Sequence, residues 1–139
     1  MEIRAAVLDD VEQIYEIMKS DGRRAYTKDL AIDLIENSQS LCLVITENNQ
    51  IVGSLGARGE GKDSCWLYYI IVREEFRHKG HARELMKRFL DNARRMGAKS
   101  IALDTPDREF FEKFGFKEVG RLPGWYEDMD QVITYMDLK

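Results

Sequence analysis

The chain has 139 residues, 44% hydrophobic and 33% charged, which suits one folded domain with a core of its own and excludes a disordered segment. The formal net charge of -4 argues against a dedicated nucleic-acid binder, whose domain would be basic. The longest apolar run, Cys65 to Val72, is far short of the ~18 residues of a membrane span.

In chain order, residues 2–7 read as a short strand. Asp9 is a candidate N-cap for a helix to about Lys19, with Val11, Ile14, Tyr15 and Met18 on one face and Gly22 as its breaker. Thr27 opens a second helix carrying Leu30, Ala31, Leu34 and Ile35. The period then changes. Leu41–Thr46 and Ile51–Ala57 form a hairpin about an Asn48-Asn49 turn. After a turn at 59–63, Cys65–Val72 is almost continuously apolar, as expected of a central strand covered on both faces. Cys42 and Cys65 both fall in strand-like apolar runs and are expected to be buried and reduced.

Ala82, Leu85, Met86, Phe89, Leu90, Ala93 and Met96 recur at helical spacing, and Gly97 follows as a C-terminal stop. Ser100–Leu103 is another strand, and residues 107–114 form a short helix ending at Gly115. Lys117–Leu122 and Gln131–Leu138 close the chain as two strands. The alternation predicts a single α/β domain over residues 1–139, with a mixed sheet flanked by helices on both faces. Neither repeats nor Pro/Gly-rich linkers divide it, and the Met-Glu-Ile-Arg start has no signal-peptide pattern, so a cytoplasmic location is expected.

Charge is unevenly placed. Arg73 to Lys99 holds nine Lys/Arg against four Asp/Glu, +5, which leaves -9 for the remainder. A local basic region in an acidic chain suggests a site for an anionic ligand. The junction there reads Val72-Arg73-Glu74-Glu75-Phe76-Arg77-His78-Lys79-Gly80-His81-Ala82: a buried strand, a turn with glycine, then a helix. The first N–H groups of a helix lack internal partners and sit at the positive end of its dipole. Gly80 allows close approach, and Arg77, His78 and Lys79 add donors. This describes a phosphate or pyrophosphate site. Neither a G-x-x-x-x-G-K-S/T loop nor a G-x-G-x-x-G fingerprint occurs, and no metal-ligand motif is present, so no metal is expected.

Arg77-His78-Lys79-Gly80-His81-Ala82 resembles the R/Q-x-x-G-x-G/A motif with which acetyltransferases of the GNAT superfamily hold the pyrophosphate of coenzyme A. Phe110-Phe111-Glu112-Lys113-Phe114-Gly115-Phe116 is similar to that family's F-Y-E-K-L-G-F segment, and the order of elements matches from about Ile3 to Leu138. Gly124-Trp125-Tyr126 before an acidic loop and a final strand also resembles amine-acetylating members.

The resemblance implies direct transfer of an acetyl group from acetyl-CoA, as co-substrate, to a primary amine of a small molecule, amino acid or peptide N-terminus. It implies that backbone groups of Ile70, Ile71 and Val72 pair with the pantetheine arm. Backbone N–H groups of Arg77, His78, Lys79, Gly80, His81 and Ala82 would hold the pyrophosphate, and Asp107 and Phe111 would lie beside the arm. The side chains of His78 and His81 are expected to face solvent.

Two positions depart from the family pattern. Phe111 stands where the family commonly has a tyrosine thought to protonate the departing sulfur; Tyr126 is the substitute, with Tyr69 second. Trp66 stands where some members carry a catalytic glutamate, and no carboxylate follows before Val72. An α-amine, with a pKa near ~8, needs less help from a base than a lysine amine near ~10.4. The loop Glu127-Asp128-Met129-Asp130 is expected to attract a cationic acceptor. A non-catalytic acyl-CoA-binding regulatory module is the competing reading, supported by Phe111 and Trp66. The sequence leaves a homodimer open and predicts neither nucleic-acid nor membrane partners.

Overall fold

The computed structural model describes residues 1–38, 41–126 and 128–138. Its elements follow the order β1 (Glu2–Ala5), α1 (Val11–Asp21), α2 (Lys28–Ser38), β2 (Cys42–Glu47), β3 (Gln50–Glu60), β4 (Ser64–Val72), α3 (His81–Arg95), β5 (Ser100–Thr105), α4 (Arg108–Glu112), β6 (Lys117–Tyr126) and β7 (Met129–Asp137). Short 3-10 turns at Leu8–Asp10 and Glu74–Phe76 precede α1 and α3.

Local chemistry accounts for most of the boundaries. Asp10, not Asp9, occupies the N-cap position of α1, and its carboxylate accepts the N–H of Val7 at 2.8 Å and two bonds from Arg4 at 2.7 and 3.0 Å. The Arg4 bonds, ahead of the opposing effect of burial, hold the Asp10 carboxyl below the usual aspartate range. Ile14, Ile17 and Met18 of α1 are fully buried, whereas Tyr15 is only partly covered. Gly22 ends the helix at φ 83°. Thr27 Oγ1 accepts the N–H of Leu30 at 3.1 Å and opens α2. Asn48 and Asn49, at φ 50° and 67°, turn the β2–β3 hairpin.

Among the described residues the sheet has seven strands in the order β1-β2-β3-β4-β5-β7-β6. Every neighbouring pair is antiparallel except β4–β5, which α3 joins as a parallel crossover. The sheet divides the core in two. Leu43 and Ile45 of β2, with Leu41 just before it, face Leu85, Met86 and Phe89 of α3, while Cys42 and Val44 face Ile14 and Met18 of α1 and Leu34 of α2. This alternation is the period of two expected of a strand covered on both faces. Both cysteines are free and buried, and burial pushes the Cys42 thiol up to about 11.

One irregularity shapes the centre. Gly56 pairs with Tyr69, but the next residue, Ala57, pairs with Leu67. Tyr68 is therefore the extra residue of a β-bulge, which bends β4. The parallel pairing with β5 covers only Ser64–Trp66 against Ser100–Ala102. Beyond the bulge the two strands diverge.

Candidate active site

The divergence of β4 and β5 leaves a cavity of about 360 Å³ lined by residues 67–72 of one strand and 103–107 beyond it, with Phe110 and Phe111 from α4. The Arg73 N–H donates to the Val52 carbonyl at 2.7 Å, so in this antiparallel register Ile71 and Tyr69 also direct their backbone groups to β3. The backbone groups of Ile70 and Val72 turn to the opposite edge, which faces the cavity. The expected contribution of Ile71 is thus corrected: its main chain belongs to the sheet. The Val72 carbonyl accepts a bond from Arg77 Nε at 2.9 Å, which ties the loop to the strand end.

That loop leads into α3. Gly80 is its N-cap at φ 91°, a conformation that costs a residue with a Cβ about 1–2 kcal/mol, and among the described residues no side chain caps the helix. The first intrahelical bond runs from the Glu84 N–H to the Gly80 carbonyl, so the N–H groups of His81, Ala82 and Arg83 have no partner within the helix. A second hollow of about 380 Å³ surrounds this end and shares Val72, Arg77, Ala82, Asp107 and Phe110 with the cavity, so the two form one continuous groove. Uncapped N–H groups, the dipole of a helix of four turns, and the exposed residues Arg77, His78 and Lys79 fit a phosphate-bearing ligand. The free backbone edge of β4 fits an amide-bearing arm.

His81 differs from expectation. Its side chain is buried, not solvent-facing: Nε2 lies 3.0 Å from Glu47 Oε1, and the ring packs edge-on against Phe76. The reason is its place on the first turn of α3, where the inward face of the helix begins. His78, at φ 64°, is exposed as expected. Asp107 lines both hollows and caps α4, accepting the N–H of Phe110 at 3.4 Å. Phe111 lines the cavity with its ring edge-on to Phe110 and Phe116.

The other end of the cavity belongs to the opposite face of the sheet. Asp21 at the end of α1, with Arg23 and Tyr26 from the segment joining α1 to α2, lines it together with Tyr68 and Asp104. The cavity therefore passes through the sheet, from the α3 face to the α1–α2 face. The joining segment is anchored on both banks. Tyr26 Oη donates to the Tyr68 carbonyl of β4 at 3.2 Å, while Arg23 reaches Gln131 Oε1 of β7 at 3.2 Å. The Arg24 N–H donates to the hydroxyl of Tyr126 on β6. Burial raises the Tyr26 hydroxyl to about 12, so it remains neutral.

The two tyrosines singled out from the sequence part ways. Tyr126 does not itself line the cavity, but its ring lies 5.3 Å from Arg23, which does, and its hydroxyl oxygen accepts the Arg24 N–H. Tyr69 is corrected to a packing residue. Its hydroxyl lies 2.9 Å from Ser54 Oγ and 3.9 Å from Cys42 Sγ inside the α1–α2 core, and burial pushes its pKa well above the ordinary value. Trp66 is the last β4 residue paired on both edges, just before the strands diverge. In the acidic loop, Asp130 is engaged internally, accepting the Gly124 N–H at 2.8 Å and facing Arg121 at 3.6 Å. Glu127 lies outside the described residues. The residues that line the α1–α2 mouth, Asp21, Arg23, Tyr26, Tyr68 and Asp104, were not singled out from the sequence.

The model of the acetyltransferase (GNAT) family matches residues 9–116. The chain belongs to that family. It is an acetyl-CoA-dependent acetyltransferase. A relative from Bacillus subtilis (strain 168), named "Putative ribosomal protein bS18-alanine N-acetyltransferase", is 25% identical over 138 residues, covering 92% of this chain and 91% of its own. The crystal structure of Ard1 from Thermoplasma volcanium superposes with a TM-score of 0.90 at 25% identity, covering 99% of this chain and 97% of that one. Naa50 from Arabidopsis thaliana, in complex with a bisubstrate analogue, CoA-Ac-MVNAL, has the same fold with a TM-score of 0.86 at 18% identity over 97% of each chain.

Proposed function

We propose that this acetyltransferase acts on the α-amine of a peptide or protein N-terminus, with coenzyme A seated on the α3 face and the acceptor entering from the α1–α2 face. The observation that carries the reading is the cavity through the sheet, with an anion-fitting helix end at one mouth and aspartates Asp21 and Asp104 at the other. The relative from Bacillus subtilis points the same way. Alanine has no side-chain amine, so the N-acetylation its name describes falls on an α-amine.

Acetyl-CoA supplies an activated thioester. Backbone groups of Ile70 and Val72 hold and orient its arm, and the first turn of α3 binds its diphosphate. The N–H groups along that open edge are positioned to stabilise the carbonyl oxygen as negative charge develops on it. The acceptor amine attacks in its neutral form and gives its surplus proton to water, the C–S bond breaks, and Tyr126 offers the proton that the departing thiolate takes up and regains one from solvent. With Trp66 in place of a carboxylate on β4, the site favours amines with an appreciable neutral fraction near pH 7, about a tenth for an α-amine against less than about 0.1% for a lysine side chain. We place the protein in the cytoplasm on the same reading.

Release of coenzyme A thiol is followed over a panel of short peptides with free N-termini, free amino acids, polyamines and lysine-type amines. Turnover is expected with peptide α-amines at a kcat/KM at least ten-fold above that of lysine-type amines. A preference for lysine-type amines, or no release with any acceptor, would sink the reading.

A further inference from the structure

At the α1–α2 mouth the guanidinium of Arg23 lies in a box built for a cation. Asp21 Oδ2 is 3.6 Å from its Nε, Asp104 Oδ2 is 3.8 Å from its Nη1, and Gln131 Oε1 accepts from Nη2 at 3.2 Å. The rings of Tyr26 and Tyr126 lie 5.6 and 5.3 Å from its central carbon. Both ion pairs are long and neither is bidentate, so the guanidinium is held by the box as a whole and not by a tight fork. Within the same amide of Gln131, which is fully buried, Nε2 has no hydrogen-bond partner among the described residues. A buried donor without an acceptor is costly and calls for an explanation.

We propose that this box is the recognition site for the ammonium group of the acceptor, and that Arg23 occupies it as a displaceable placeholder. The inference rests on the reading of the chain as an α-amine acetyltransferase, because such an acceptor arrives largely as a cation. Two carboxylates, an amide oxygen and two aromatic faces serve an ammonium ion as well as a guanidinium. An N-terminal residue also brings a carbonyl oxygen a few ångströms from its nitrogen, which gives the idle Gln131 Nε2 an acceptor. Arg23 follows Gly22 at the end of α1, and its long side chain can swing to solvent when the ligand enters. The ammonium then loses its proton to water and passes inward as the free amine.

The test uses trialanine amide, titrated calorimetrically into protein saturated with coenzyme A. Arg23→Met keeps the aliphatic stem against the tyrosines and removes the charge. It is expected to bind the peptide about ten-fold more tightly than the wild type, since a site occupied by its own placeholder is only fractionally available. N-acetylated trialanine amide should gain nothing. Adding Asp104→Asn to Arg23→Met should return the affinity toward the wild-type value. Unchanged, weaker or absent binding to Arg23→Met overturns the proposal, as does retention of the tight affinity in the double variant. A second measurement needs no substitution. The Arg23 Nε–H NMR resonance of the wild type should shift with trialanine amide and not with its acetylated form; a resonance that stays put while the peptide binds also overturns it. Binding of this kind without acetylation would refute the proposed reaction and leave the box standing. Acetylation of trialanine amide with no response at Arg23 would do the reverse.

Discussion

Phenylalanine at position 111 has no proton to give a leaving thiolate, and its ring is closed in between Phe110 and Phe116. Protonation must therefore come from solvent or from another side chain, and Tyr126 and Tyr69 stand in opposite situations for that task. Removing the Tyr126 hydroxyl is expected to lower kcat by about 10²-fold, the lower end of what a general acid contributes, because a thiol is already a fair leaving group. The KM for acetyl-CoA should stay unchanged, since Tyr126 stands beside Arg23 and lines neither hollow at the start of α3. Tyr69→Phe should keep kcat within about three-fold while costing about 1 kcal/mol of stability, for the bonds to Ser54 and Cys42 are structural. Steady-state kinetics and thermal melting of the two variants check both outcomes. Had Tyr69 been the acid, the two would exchange behaviour.

At the scale of elements, the bulge in β4 depends on a glycine across from it. A Cβ on Gly56 would stand 2.2 Å from Tyr69 Cε2 and 2.9 Å from Leu34 Cδ1. Gly56→Ala must push the Tyr69 ring aside, an overpacking that costs about 1–3 kcal/mol. Because Tyr69 adjoins the bulge residue, the same change is expected to raise the KM for acetyl-CoA, and a variant with normal KM and melting temperature would show that β4 does not need this contact. The elements themselves were legible in the sequence where their causes are local. The Gly80 turn, the apolar stripe of α3 and the Asn48-Asn49 hairpin each rest on residues a few positions apart. The bulge was not legible, since Cys65 to Val72 is apolar throughout and an inserted residue leaves no mark on an unbroken run. Nor was the α1–α2 mouth. Arg23 meets Gln131, and Arg24 meets Tyr126, across separations of 108 and 102 residues, which no local pattern encodes. His81 was misread for the same reason, as its partner Glu47 lies 34 residues away.

At the scale of the molecule, the sheet separates two cores and also two chemical environments. One mouth of the cavity is basic and edged by the start of α3; the other holds Asp21 and Asp104 about a single guanidinium. Opposite entrances, if coenzyme A and the acceptor use them as proposed, also govern the order of events. Neither substrate would then obstruct the other's route, and neither product would wait behind the other, so both reactants could be present at once and no acetylated protein intermediate would be required. Initial rates plotted in double-reciprocal form should intersect, not run parallel. Desulfo-coenzyme A should compete with acetyl-CoA and not with the amine, while an acetylated peptide should compete with the amine alone.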